Sequence, residues 1–103
     1  MEMPAQKDLV LDSVVLAATE QISCDLSGET AILDLRSGVY YGLNPTGAFI
    51  WNQVKEPVPV RTILTAMQAE FDVDAVRCER DLMRILNELA NRGLLEVKDE
   101  APR

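Results

Sequence analysis

At 103 residues the chain has room for one domain with a modest core, and not for a large substrate cavity beside it. Apolar residues make up 48%, an ordinary globular composition, so disorder is not the default. With 17 acids against 10 bases the formal charge is -7, which disfavours duplex DNA and anionic membrane surfaces, both of which are held by Lys and Arg.

Residues 1–9 are polar, carry Pro4, and read as a fraying end. Residues 10–18 are apolar with little alternation and fit either an extended arm over the core or a first strand. Three strands are predicted next. In residues 21–26, Ile22, Cys24 and Leu26 share one face, with Gln21, Ser23 and Asp25 opposite. Ser27-Gly28 is a tight-turn signal. Residues 30–35 set Ala31, Leu33 and Leu35 against Thr30, Ile32 and Asp34. Arg36-Ser37-Gly38 fits a three-residue hairpin loop with Gly38 left-handed. In residues 39–43, Val39, Tyr41 and Leu43 face one way, Tyr40 and Gly42 the other. Two short hairpins make an antiparallel meander, so the middle strand is central and the third has a free edge.

Asn44-Pro45 ends the sheet and starts a helix, as N-cap and first helical residue. That helix reaches about residue 55, anchored by Phe49, Ile50, Trp51 and Val54, and is broken by Pro57 and Pro59. A second helix covers residues 60–70, with Val60, Ile63, Leu64, Met67 and Phe71 on one face. Asp74 caps a third, residues 75–92, whose stripe is Cys78, Leu82, Ile85, Leu86 and Leu89. Gly93 stops it, and residues 94–97 fit a short final strand. The fold class is therefore α+β, a three-stranded meander followed by three helices. The predicted organisation is a flexible arm (1–15), one domain (16–97) and a polar tail (98–103).

The chemistry is restricted. Histidine is absent, which removes the commonest general base and metal ligand and rules out Ser-His-Asp and Cys-His arrangements. No glycine loop has phosphate-cradling spacing. The acids read as caps or solvated helix face, so an enzyme is not expected, nor any cofactor or metal. Cys24 and Cys78 lack metal-site spacing and are too few for a disulfide scaffold. Each is expected to be a small buried hydrophobe; the alternative for Cys78 is the rim of a groove between the third helix and the third strand. No segment has signal-peptide or membrane-span character, and a reducing cytoplasm is the expected setting.

Arg77, Arg80 and Arg84 share a helix face, either solvated with ion pairs Arg77–Asp81 and Arg84–Glu88, or as a basic stripe meeting acidic groups of a partner. Tyr40, pointing outward beside a free edge without charge or proline to blunt it, leans towards a contact role.

One run, Leu33-Asp34-Leu35-Arg36-Ser37-Gly38-Val39-Tyr40-Tyr41-Gly42-Leu43-Asn44, followed by Thr46-Gly47-Ala48, Ile50-Trp51, Phe71-Asp72-Val73 and Arg92-Gly93-Leu94-Leu95, resembles the PqqD-like family. These are the recognition elements for precursors of ribosomally made, modified peptides. The likeness covers about two-thirds of the chain and is greatest to the freestanding members of lasso peptide biosynthesis. It implies a winged helix-turn-helix-like fold and a function as a peptide-binding adaptor. The leader of a precursor peptide would add as a strand to Val39, Tyr40, Tyr41, Gly42 and Leu43, against a helical wall of Arg77, Cys78, Asp81, Leu82 and Ile85. It further implies a maturation enzyme as partner, such as a cysteine-protease-like leader peptidase, with no nucleic acid and no membrane. The alternatives are a winged-helix DNA-binding regulator, a chaperone for the peptide precursor of the cofactor PQQ, or a domain that only dimerises through its free edge.

Overall fold

The computed structural model describes residues 9–26 and 29–98. In chain order the elements are β1 (Val14–Ala17), β2 (Gln21–Leu26), β3 (Glu29–Asp34), β4 (Tyr40–Leu43), α1 (Pro45–Gln53), β5 (Val58–Pro59), α2 (Val60–Glu70), α3 (Ala75–Asn91) and β6 (Leu95–Lys98). They form two antiparallel sheets. The predicted meander is one, in the order β2-β3-β4; the other is β5-β1-β6. Ser27-Gly28 lies outside the described residues.

The helix termini follow local chemistry. Asn44 Oδ1 accepts from the Gly47 N–H at 2.8 Å, and Asp74 Oδ1 accepts from the Arg77 N–H at 2.8 Å. Past α3, Gly93 takes φ +76°. Its N–H donates to Ala90 O at 3.0 Å and the Leu94 N–H donates to Leu89 O at 2.9 Å, the paired closure of a Schellman motif. Helix α2 follows Pro59, which has no side chain to cap with. Here the N-terminal segment substitutes: the Val60 and Arg61 N–H groups donate to Ser13 O and Leu11 O at 2.8 and 2.9 Å.

That capping revises the predicted arm. Leu9 and Val15 are buried, Val14 and Val15 pair with Pro59 and Val58 in β5, and Asp12 meets Arg61 at 2.7 Å. Residues 9–15 are thus tied to the domain by hydrogen bonds and apolar burial. At the other end, Lys98, assigned to the tail, is the last residue of β6 and stands opposite Val14. The first helix stops at Gln53, two residues short of the expected end, with Val54 as its C-cap.

The core gathers Val15, Ile32, Ile50, Trp51, Val54, Val60, Ile63, Leu82 and Leu86, all at most 1% exposed. On β3 the inward residues are Thr30, Ile32 and Asp34. The register pairs Ser23 with Ile32 and Ile32 with Tyr41, so Ser23 and Tyr41 share that inner face. The more apolar face of the meander therefore points outward. Ile22 is 55% exposed and Tyr40 66% exposed, and Cys24, expected to be buried, is exposed. Cys78 is buried as expected; burial first, then Asp81 and Asp74, push its thiol pKa up.

Asp34 is a polar member of this core. It accepts from the Arg36 N–H at 3.0 Å, and that bond first, then further contacts with Ser37 and Arg36, outweigh desolvation and hold its carboxyl below the usual range. A depressed carboxyl pKa contributes stability that is present above the unfolded value, about 3.9, and lost as pH falls through the folded value. Acid titration followed by circular dichroism is expected to show Asp34→Asn with less stability than the parent near neutral pH and a smaller loss below pH 4. Parallel acid curves for the two proteins would remove Asp34 from the account.

Candidate functional site

Strand β4 pairs with β3 along one side only, among the described residues. Its register with β3 runs Thr30 to Leu43, Ala31 to Gly42, Ile32 to Tyr41 and Leu33 to Tyr40. One step further, the Asp34 N–H donates to Val39 O at 3.0 Å while Asp34 O accepts from the Gly38 N–H, a bulged closure in which Asp34 turns both backbone groups towards the β4 side. Hydrogen-bonded and non-bonded pairs alternate in an antiparallel ladder. Tyr41 and Leu43 therefore bond inward to β3, while the N–H and C=O groups of Tyr40 and Gly42 point to the free edge. The connection before β4 is two residues longer than predicted, taking in Leu35 at one end and Val39 at the other. The backbone folds back through the Gly38 N–H, which donates to Asp34 O at 2.7 Å, with Gly38 at φ +76°.

Alongside this edge runs a cleft of about 320 Å³ between β4 and the C-terminal half of α3. Tyr41 and Leu43, both half-buried, give it an apolar side, and Ile85 and Leu89 supply the facing helical surface. Arg84, Glu88 and Arg92 border the same wall. The Arg92 guanidinium lies 4.6 Å from the centre of the Tyr41 ring, a cation–π contact that joins strand to helix. Arg36 adds a second tie: its Nη2 donates to Gly93 O at 3.1 Å, while Nε lies 3.5 Å from Asp34 and 3.6 Å from Glu20. The β3–β4 turn is thereby tied to the end of α3, across from the cleft's helical wall.

Tyr40, Tyr41, Gly42, Leu43 and Ile85 line the cleft; the other sequence-predicted residues do not. Val39 is exposed just before the strand, Cys78 and Leu82 are sealed in the core, Asp81 is half-buried, and Arg77 is exposed near the opposite end of α3. Leu89, Arg84, Glu88 and Arg92 take the places expected of those residues on the wall. The apolar stripe of α3 was legible, but not which of its turns meets β4. Of the two expected ion pairs, Arg84–Glu88 forms, at 3.8 Å, and Arg77–Asp81 is not among those found in the described residues. The same residues hold no cluster of three or more His, Cys, Asp or Glu side chains fit for a metal, and no helix among them is long and apolar enough to cross a membrane.

Three comparisons bear on this site. The family model described as coenzyme PQQ synthesis protein D (PqqD) matches residues 29–95, from β3 to the start of β6. No curated protein matches the sequence. Among solved structures, TbiB1 in complex with the TbiA(beta) leader peptide is 34% identical, superposes with a TM-score of 0.74, and is matched over 84% of this chain and 99% of its own. Lasso peptide synthetase B1 complexed with the leader peptide shares the fold at 23% identity and a TM-score of 0.72, over 80% of this chain and 96% of its own. With the family model spanning both walls of the cleft and the TbiB1 likeness nearly the whole described fold, the chain belongs to the PqqD family.

Proposed function

We propose that the chain is a non-catalytic adaptor that captures the leader segment of a ribosomally made precursor peptide by strand addition to β4 and presents it to a maturation enzyme, with a lasso-type leader peptidase as the favoured partner. The observation that carries this reading is the unpaired β4 edge, whose outward N–H and C=O groups at Tyr40 and Gly42 lie beside a cleft with both apolar and charged walls. Strand addition draws main-chain hydrogen bonds from that edge, and pockets for alternate side chains supply the sequence preference. Here the pocket surfaces are Tyr41 and Leu43 on the strand and Ile85 and Leu89 on the helix. A free leader is disordered, so contact with these anchors must offset its ordering cost. Once held, the rest of the precursor is confined near any enzyme that binds the adaptor, which raises its effective concentration. Two relatives of the same fold are complexes with leader peptides, which supports the same occupant here.

The test is a titration of a fluorescent peptide carrying the leader of the precursor gene that neighbours this one. Saturable binding that shifts the amide resonances of Tyr40 and Gly42 is expected. A folded protein that ignores this leader removes the proposal, and concentration-dependent dimers without peptide binding would assign the edge to self-association instead.

A further inference from the structure

The cleft wall is charged differently from the chain around it. Against a formal charge of -7 overall, the wall presents two guanidinium groups, Arg84 and Arg92, and one carboxylate, Glu88. Arg84 and Glu88 are paired with each other at 3.8 Å. Arg92 is different: its guanidinium carbon lies over the Tyr41 ring, 4.6 Å from the centre, and among the described residues no carboxylate forms an ion pair with it. Arg92 is exposed, and a guanidinium carries five N–H donors in a planar fork that matches a carboxylate, so an incoming acid can reach it.

The spacing is also suitable. Residues four apart on a helix advance about 6 Å, and same-face residues of a strand, two apart, advance about 6.6–6.8 Å. For a strand running along α3 in this cleft, that match lets alternate side chains meet Ile85 and Leu89 and then the arginines. An apolar side chain seated against Ile85 and Leu89 leaves a same-face neighbour beside Arg92.

We propose that the cleft selects extended peptides with a carboxylate side chain facing Arg92, at an even number of residues from an apolar anchor held by Ile85 and Leu89. This rests on the reading that β4 accepts an added strand, and it names the ligand chemistry of that site: an acidic–apolar extended segment.

The experiment is selection of a display library of random fourteen-residue peptides on the full chain, on Arg92→Gln, on Arg92→Glu and on Gly42→Pro. Wild-type selections are expected to converge on Asp or Glu at a fixed even offset from an apolar residue. Arg92→Gln loses that preference, and Arg92→Glu exchanges it for Lys or Arg. A wild-type acidic peptide is expected to bind Arg92→Gln about tenfold more weakly, the scale of one charge-assisted hydrogen bond. Arg92→Gln is the safe variant for folding, since an added carboxylate at a helix C-terminus is unfavourable in itself. Peptides that need the Gly42 N–H yet show no acidic preference, or bind Arg92→Gln unchanged, overturn this inference and leave strand addition standing. Peptides that bind Gly42→Pro as well as the wild type, or no selected peptides at all, overturn both.

Discussion

Gly42→Pro is expected to weaken peptide capture at least tenfold while the protein stays folded. The Gly42 N–H points away from β3, so proline removes a donor that the fold does not use and an added strand does. Proline is tolerated on an edge strand when the missing N–H faces solvent. One lost strand hydrogen bond is worth about 0.5–1.5 kcal/mol, and the ring also obstructs close approach of the incoming backbone. Gly42→Ala is the control. A Cβ there meets nothing within 4 Å and the outward N–H is kept, so binding should stay close to wild type. Proline at Tyr41 tests something else, because the Tyr41 N–H belongs to the β3 ladder and its loss damages the hairpin itself. Anisotropy titrations with a captured peptide, alongside circular dichroism, separate these outcomes. Wild-type affinity in Gly42→Pro would rule out pairing along β4.

Leu82→Ala is expected to lower stability by about 2–5 kcal/mol with little change in the peptide affinity of the folded protein. Leu82 is 0% exposed and sits in the core with Leu86 and Ile32, so truncation leaves a cavity that neighbours only partly fill. For a domain whose total stability is about 5–15 kcal/mol this is a large share, visible as a fall in Tm of roughly 10 °C or more. The residue does not line the cleft, so affinity measured well below the transition should stay within about twofold of wild type. An unchanged Tm with lost binding would instead return Leu82 to the peptide groove.

Of these two positions, only Leu82 is one where sequence and structure part. From sequence, both Gly42 and Leu82 read as binding residues, one on a strand edge and one on an apolar helix stripe. Helical periodicity identifies a stripe, but every residue on it is equally apolar in outline. Which turns are covered depends on where the helix crosses its neighbours. Arg92 lying over Tyr41 places β4 beside the last turns of α3, while Cys78 and Leu82, nearer its start, are buried in the core. The inward face of the meander was hidden for a related reason. Alternation shows two faces, and the more apolar one ordinarily packs inward. Here Thr30 and Asp34 find hydrogen bonds inside, Thr30 to Asp25 at 2.8 Å and Asp34 from the Arg36 N–H, so the polar face can be buried and Ile22 and Tyr40 left outside.

The sequence by itself determined the order of the meander and the three helices, the caps at Asn44 and Asp74, the stop at Gly93, β4 at the edge of its sheet, and the absence of histidine chemistry; it did not show β5 or the second sheet, β5-β1-β6. These are local matters, decided by propensities and turn chemistry within a few residues. The family likeness was also legible there, because the motif runs along β3, β4 and α1. Only the tertiary structure decided that Tyr40 and Gly42 turn their backbone groups to the free edge, that Ser13 and Leu11 cap α2, that Arg36 ties the hairpin to Gly93, and that Arg84, Glu88, Leu89 and Arg92 wall the cleft. Each of these depends on strand register or on contacts between residues far apart in the chain. No local pattern encodes the angle and depth at which a helix settles on a sheet.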